Sequence, residues 1–173
     1  TISEDADINI KNKSQADTDI IHIGGAIGQT QGAFNISNIT VYSKITFLEN
    51  SSPIAKVIVY AGGIIGYSDT GNTSTSPFQI NSTFAGTLTI NKANKVYAGG
   101  IIGTTSDATG TATNKITISG AKVSGDIKVE SVYETNNSAE LYLGGVAGYV
   151  VSNITSCFAW GNITLANGLN IKN

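Results

Sequence analysis

Histidine and cysteine, two residues that often carry out chemistry, each occur once in this chain, as His22 and Cys157. An HExxH zinc site needs two histidines, and an intrachain disulfide or a multi-cysteine metal site needs a second cysteine. These classes of site are therefore excluded for this segment. Because tyrosines occupy the equivalent positions of an internal repeat, His22 is predicted to stack as a structural residue, with a pH-sensitive or ligand-binding imidazole as the alternative. Cys157 is predicted to be a buried small thiol, with a reactive thiol as the alternative.

Carboxylates are the next candidates for chemistry. Asp126, Lys128 and Glu130 alternate with Ile127 and Val129, a pattern that places the three charged side chains on one face of a strand. A pair of carboxylates could serve as the acid and base of a glycosidase or a lyase. The alternation favours a solvated outer face instead, and we predict no catalytic residue in this chain.

A second acidic group contains Glu4, Asp5, Asp7, Asp17 and Asp19. Carboxylate oxygens can hold Ca²⁺, but this spacing fits neither an EF-hand nor a glycine-rich nonapeptide repeat. The glycine motifs of the chain also lack the features of a dinucleotide or Walker site. We therefore predict a solvated loop at the acidic group, no metal site and no cofactor.

Composition narrows the fold and the partners. The chain has 173 residues, with ten lysines, no arginine and twelve acidic residues, so its net charge of −2 excludes an electrostatic DNA binder. The longest apolar stretch, 55–65, is interrupted by Lys56 and two glycines and is far shorter than the roughly 20 residues that span a bilayer. No membrane insertion is predicted for this segment. Enrichment in Thr, Val, Ile and Tyr predicts an all-β fold.

An internal repeat organises the elements that must position these residues. A motif of an aromatic residue or histidine, one further residue, Gly-Gly, two small or aliphatic residues and Gly occurs four times, with first glycines 38, 37 and 45 residues apart. The repeat glycines are Gly24, Gly25, Gly28, Gly62, Gly63, Gly66, Gly99, Gly100, Gly103, Gly144, Gly145 and Gly148. We predict one domain over 1–173, a segment of a longer chain, with repeats at approximately 20–57, 58–94, 95–139 and 140–173.

A unit of this size cannot bury its apolar face alone, so the repeats are predicted to stack and to align equivalent residues in columns. One column is an aromatic ladder of His22, Tyr60, Tyr97 and Tyr142. We predict an all-β fold of the β-solenoid type, a right-handed parallel β-helix built from four tandem repeats, with about two coils per repeat. A two-sheet β-sandwich is the alternative.

The last repeat carries a family resemblance. Its residues 141–149, Leu-Tyr-Leu-Gly-Gly-Val-Ala-Gly-Tyr, and 154–164, which end in Ala-Trp-Gly-Asn-Ile-Thr, resemble the GLUG motif. The first repeat departs most from this motif, since His22 replaces the aromatic residue and Ser43 replaces a later glycine. The resemblance implies a β-solenoid from a bacterial-type, adhesin-like surface protein, and it implies a scaffold more than an activity.

From these features we expect a non-catalytic, extracellular or cell-surface repeat domain that presents loops such as 67–76 to a host or matrix glycan or protein. The alternative is a self-assembling subunit of an extracellular fibre, suggested by a stack without an evident polar cap at either end. A polysaccharide-active enzyme using Asp126 and Glu130 ranks last. Because Phe158 and Trp160 flank Ala159, at least one of the two aromatic side chains is expected to face outward or to cover the end of the stack.

Asn-x-Ser/Thr sequons are frequent in this chain. Those predicted to lie in loops, at Asn50, Asn72 and Asn136, are the candidates for glycosylation if the source is a secreting eukaryote, because a glycan needs solvent. In a bacterial source the sequons would follow from an Asn-, Ser- and Thr-rich composition alone.

Overall fold

Four parallel sheets wrap the chain into a solenoid. The structure, a computed structural model, describes residues 1–3, 6–12, 18–31, 35–49, 56–69, 78–105, 116–132, 140–150 and 153–166. A first strand, β1 (Asp7–Asn12), precedes four coils, each of which contributes to all four sheets. The first coil contains β2 (Thr18–Gly24), β3 (Ile27–Gln31), β4 (Ile36–Val41) and β5 (Lys44–Glu49). The second contains β6 (Lys56–Gly62), β7 (Ile65–Asp69), β8 (Phe78–Phe84) and β9 (Thr87–Ala93).

The last two coils follow the same order but split the third side into two short strands. The third coil contains β10 (Lys95–Gly99), β11 (Ile102–Thr104), β12 (Ile116–Ser119), β13 (Lys122–Val123) and β14 (Asp126–Val132). The fourth contains β15 (Glu140–Gly144), β16 (Ala147–Tyr149), β17 (Asn153–Thr155), β18 (Phe158–Ala159) and β19 (Ile163–Leu165).

Each sheet collects the strands from one side of the coil. Sheet 1 has the order β2-β6-β10-β15, and sheet 2 has the order β3-β7-β11-β16. In sheet 3, β8 pairs with β4, β12 and β13, and the last two pair with β17 and β18. Sheet 4 has the order β1-β5-β9-β14-β19. All of these pairings are parallel, which confirms the predicted parallel β-solenoid and sets aside the β-sandwich.

The prediction of about two coils per repeat is wrong, because one repeat makes one coil. Tyr60 of one repeat pairs directly with Tyr97 of the next, so one turn of the solenoid consumes about one repeat length. The four sides of the coil account for the length of the repeat, since each side uses a short strand and a corner. The repeat length alone does not say how many sides a coil has.

The beginning of the described chain also differs from the expected uncapped end. Strand β1 pairs with β5 over six residues, and Ile2 forms an isolated parallel bridge with Val41. Ile8 and Ile10 of β1 pack against the main core. This extra half coil covers part of the first coil on sheets 3 and 4.

The interior is a continuous aliphatic core with a few phenylalanines. Columns of Ile, Val and Leu from successive coils fill it, and Phe47 and Phe84 are its largest fully buried side chains. Burial is complete in the middle coils and declines in the fourth, where the Val146 and Ala147 pair is only half-buried while the equivalent Ile101 and Ile102 are fully buried. Among the described residues there is no helix of the length and apolarity needed to cross a membrane.

The close approach of sheets 1 and 2 explains the third glycine of the second, third and fourth motifs, Gly66, Gly103 and Gly148. At the corner between these sheets the chain turns back so closely that the backbones of the two sheets touch. A Cβ added to Gly103 would lie 2.6 Å from Ala61 N and 2.5 Å from Gly66 O, and one added to Gly66 would lie 2.5 Å from Ile23 N. A side chain at these positions would push the two sheets apart.

Candidate functional site

The predicted aromatic column lies on the outer face of sheet 1. His22, Tyr60, Tyr97 and Tyr142 are in register on neighbouring strands. Their ring centroids are 5.3, 5.0 and 4.6 Å apart in that order. The column faces outward because Val59 and Ala61, which flank Tyr60 in the strand, point into the main core.

Sheet 2 adds aromatic residues that the sequence reasoning did not assign. Tyr67 stacks on His22 at 4.8 Å and on Tyr60 at 5.3 Å, and Tyr149 meets Tyr97 edge-on at 6.1 Å. Tyr60, Tyr67 and Tyr97 form a hydrophobic cluster of their own, separate from the main core. The signal for this second column was present but weak, because only two of the four equivalent positions, Gln29, Tyr67, Thr104 and Tyr149, hold an aromatic residue.

Burial decides what this cluster can do. Tyr97 retains 5% of its exposure, and Tyr60 and Tyr67 are similarly buried, so these rings present no face to a ligand. Only the fourth-coil members, Tyr142 and Tyr149, are exposed. The aromatic cluster is thus a second packing layer outside the solenoid wall, with an accessible end at the fourth coil.

Lys95 closes one side of this layer. Its Nζ pairs with Glu140 Oε2 at 2.5 Å and lies 5.3 and 5.6 Å from the ring centroids of Tyr97 and Tyr142. Burial lowers the pKa of Lys95. The hydrogen bonds to Glu140 and Tyr97 and the negative charge of Glu140 raise this pKa by a larger amount, so the net shift is upward. The ammonium group therefore stays charged and positions the two rings beside it.

His22 occupies the first position of the layer. Its Nδ1 lies 3.1 Å from Gln29 Oε1, an oxygen that accepts, so this ring nitrogen donates the hydrogen bond. Burial lowers the pKa of His22 and the Gln29 contact partly opposes that shift, so the neutral ring is favoured. The structure therefore gives His22 an arrangement suited to stacking.

The charged row of Asp126, Lys128 and Glu130 lies on the outer face of sheet 4. Asp126 Oδ1 accepts hydrogen bonds from Asn162 N at 2.9 Å and from Asn162 Nδ2 at 3.1 Å. Glu130 Oε2 accepts from Asn91 Nδ2 at 3.5 Å. Each carboxylate is thus engaged with an amide of a neighbouring coil, which is a structural arrangement.

The acidic group near the start of the sequence is only partly described. Asp7 lies in β1, and Asp19 of β2 accepts a hydrogen bond of 2.9 Å from Asn12 Nδ2, which ties these two strands together. Glu4, Asp5 and Asp17 lie outside the described residues. Within the described ranges, no group of three or more His, Cys, Asp or Glu residues could hold a metal ion.

Cys157 lies near the end of the fourth coil and is half-buried. Its Sγ lies 3.3 Å from the carbonyl oxygens of Ile118 and Thr155, which the thiol can reach as a weak donor. The predicted full burial is therefore only partial, because no further described coil covers this edge.

Among the described residues, the most exposed aromatic side chains lie on the outside of sheet 3. Phe158 and Trp160 are 62% and 63% exposed, and Tyr42 is 43% exposed. Ala159, between Phe158 and Trp160, points inward, since its Cβ would meet a Cβ added to Gly145 at 2.6 Å. Both neighbouring aromatic side chains therefore face outward, as the alternation allowed, and Tyr42 joins them without any motif to signal it. These three residues form the outer aromatic face.

The predicted loop sites lie mainly outside the described residues. Of the proposed binding loop 67–76, only Tyr67, Ser68 and Asp69 are described, and they belong to β7. The glycosylation candidates Asn50, Asn72 and Asn136 also lie outside the described residues. They stay predictions.

Comparison with protein-family models, with curated proteins and with solved structures finds no match to this chain. The solenoid and its two aromatic surfaces are therefore the features of this chain that bear on its function.

Proposed function

We propose that this chain is a non-catalytic structural and adhesive repeat domain of an extracellular or cell-surface protein, related to the GLUG-repeat proteins that its last repeat resembles. The coils would form a stiff scaffold, and its outer surfaces and inter-strand segments would bind a host or matrix glycan or protein. One observation carries this proposal: every repeat makes one coil, and equivalent residues stack in register on all four sides.

The register explains why such a scaffold would be stiff. Parallel backbone hydrogen bonds join the coils along the sheets, and they continue through the corners, as in the bonds from Gly63 N to Gly99 O and from Ile64 N to Ile101 O, both 3.1 Å. A coil can bend away from its neighbour only by breaking bonds on several sides at once.

The segments that join sheet 2 to sheet 3 suit a display role. They follow equivalent strands in successive coils, so the described residues that precede them lie along one side of the solenoid. Their undescribed parts differ in length, from 151–152 in the fourth coil to 106–115 in the third. The connections from sheet 4 to sheet 1 also vary, from Asn94 alone to 133–139. Connections of variable length on a regular scaffold are typical of a repeat protein that binds partners through them.

Two measurements test the proposal. An antibody raised against the purified chain is expected to label intact, unpermeabilised cells of the source organism. The immobilised chain is expected to bind at least one member of an array of glycans and matrix proteins. Labelling only after lysis, together with no binding on the array, would refute it.

End-to-end self-assembly into an extracellular fibre is the second candidate, and the exposed fourth coil favours it. Tyr142 and Ile163 are partly exposed there, and β15, β16 and β19 each pair with one strand only in the described part of the chain. Light scattering and electron microscopy are expected to show rods that lengthen with protein concentration if this candidate is correct. A mass equal to one chain at every concentration would exclude it.

A further inference from the structure

The outer aromatic face contains a column with an unusual composition. The column consists of the four residues that directly follow the inward-facing residues Val41, Phe84, Val123 and Ala159 of sheet 3. The backbone N–H of each donates to a carbonyl oxygen in the preceding turn of the chain, here called the preceding level. These bonds are Tyr42 N to Ile2 O at 3.1 Å, Ala85 N to Val41 O at 2.8 Å, Ser124 N to Phe84 O at 2.9 Å and Trp160 N to Val123 O at 2.9 Å. The four donors therefore stack level upon level.

The column runs from one large aromatic residue to another over two small ones. Because neighbouring strands lie about 4.8 Å apart, the Cα atoms of Tyr42 and Trp160 are separated by about 14 Å. Ala85 and Ser124 fill the two levels between them and are half-buried. Small side chains between two large ones define a shallow groove, which has Ala85 and Ser124 at its floor and an aromatic residue at each end.

The adjacent outward column supplies polar groups along the same groove. It contains Thr40, Thr83, Lys122 and Phe158 at successive levels. Phe158 stands two positions before Trp160 on the same strand face, so one end of the groove carries two aromatic rings. The middle carries the hydroxyl groups of Thr83 and Ser124 and the exposed ammonium of Lys122.

We propose that this groove binds a short oligosaccharide, with Trp160 and Phe158 at one end and Tyr42 at the other. A pyranose ring has an apolar face of C–H groups that packs on an aromatic ring, and its hydroxyls need hydrogen-bonding partners such as those in the middle of the groove. This inference rests on the proposed adhesive function and identifies its ligand class and its site.

The composition of the groove favours a saccharide over a protein partner. Protein interfaces place their aromatic anchors in a packed centre with a polar rim around them. Here the centre holds the small Ala85 and Ser124 with the polar Thr83 and Lys122 beside them, and the aromatic rings stand at the two ends. The face is also lateral to the stack, so a further coil added to the fourth would leave its outward direction open.

The single tryptophan of the chain makes the test direct, because the tryptophan fluorescence comes from Trp160 alone. The probes are soluble chitotriose, cellotriose, mannotriose, N-acetyllactosamine and sialyllactose. At least one of them is expected to change the fluorescence in a saturable manner. Tyr42→Ala and Phe158→Ala are each expected to raise its Kd by about tenfold.

Tyr149→Ala is the matched control, because Tyr149 is 38% exposed but belongs to sheet 2. This variant is expected to keep the Kd of the parent within about twofold. Circular dichroism of each variant establishes that the fold is retained, which the exposure of the substituted side chains leads us to expect.

Three results would overturn the inference. The first is no saturable change with any probe, and in that case protein binding on the array would leave the proposed function standing. The second is saccharide binding that both aromatic variants retain but that replacement of 70–77 abolishes. The third is a fluorescence change that follows protein concentration without saccharide, which would make the face a contact between copies.

Discussion

The two aromatic surfaces of this solenoid use the same kinds of residue and reach opposite states of burial. In the cluster between sheets 1 and 2, aromatic residues follow one another at successive levels and a second strand lies against them, so Tyr97 is 5% exposed. On the outside of sheet 3, the two small residues Ala85 and Ser124 separate Tyr42 from Trp160, and no other described strand covers these rings. Uninterrupted repetition therefore buries the rings, and interruption of the column leaves them exposed to solvent.

The contact that buries the first surface depends on the third glycine of the last three motifs, and breaking it is expected to have the largest effect on stability. In Gly103→Ala the new Cβ would meet the backbone at Ala61 N and Gly66 O, atoms that a rotamer change cannot move. We expect a loss of about 4 kcal/mol in the free energy of unfolding, at the upper end for one substitution, measured by urea titration.

Gly145→Ala is the control for that substitution. Its Cβ would meet only the Cβ of Ala159, at the less tightly packed fourth coil. We expect a loss of about 1 kcal/mol, in the range for mild overpacking. Equal losses in the two variants would contradict the view that backbone contact between the sheets sets the requirement for glycine.

Tyr97→Ala compared with Tyr42→Ala tests the two surfaces with one substitution. Removal of the Tyr97 ring deletes its stacking contacts with Tyr60 and Tyr142, whose ring centroids lie 5.0 and 4.6 Å away. We expect this substitution to lower the free energy of unfolding by about 3 kcal/mol. Removal of the exposed Tyr42 ring is expected to change stability by about 0.5 kcal/mol or less. Urea titrations of both variants measure the difference, and similar losses would show that the outer aromatic face is also a packing surface.

The ion pair between Lys95 and Glu140, at the solvent-exposed side of the aromatic cluster, is expected to contribute less to stability. A double-mutant cycle with Lys95→Gln and Glu140→Gln is expected to give a coupling energy of about 0.5 kcal/mol, because both side chains retain solvent contact. The coupling should shrink as salt is added, since salt screens exposed charges. Lys128→Gln, at an exposed position on sheet 4, is the control for general loss of charge. A coupling that salt leaves unchanged would contradict this account.

The repeat glycines were enough to predict a stacked, all-β solenoid and a column through His22, Tyr60, Tyr97 and Tyr142. They could not show that each coil has four sides, because a period near 38 residues fits several short strands or fewer long ones. Strand β1 was missed because its Ile8 and Ile10 alternate without any copy of the motif. Tyr42 was missed because its position in one column with Ala85, Ser124 and Trp160 follows from the register of sheet 3, which the sequence motif does not reveal.

The smallest expected effect is a pH dependence at His22. Burial lowers its pKa below 6.5, so the folded state binds fewer protons there than the unfolded state. Stability from this group is therefore complete above the unfolded pKa and declines as the pH falls through the folded pKa. As the only histidine in the chain, His22 gives an unambiguous imidazole signal in an NMR titration from about pH 8 to pH 5. Urea midpoints over the same range are expected to fall on acidification in the parent and to fall less in His22→Gln, which has no group titrating there. A midpoint that rises on acidification, or an NMR pKa above 6.5, would show that the protonated ring is the form held against Tyr60 and Tyr67.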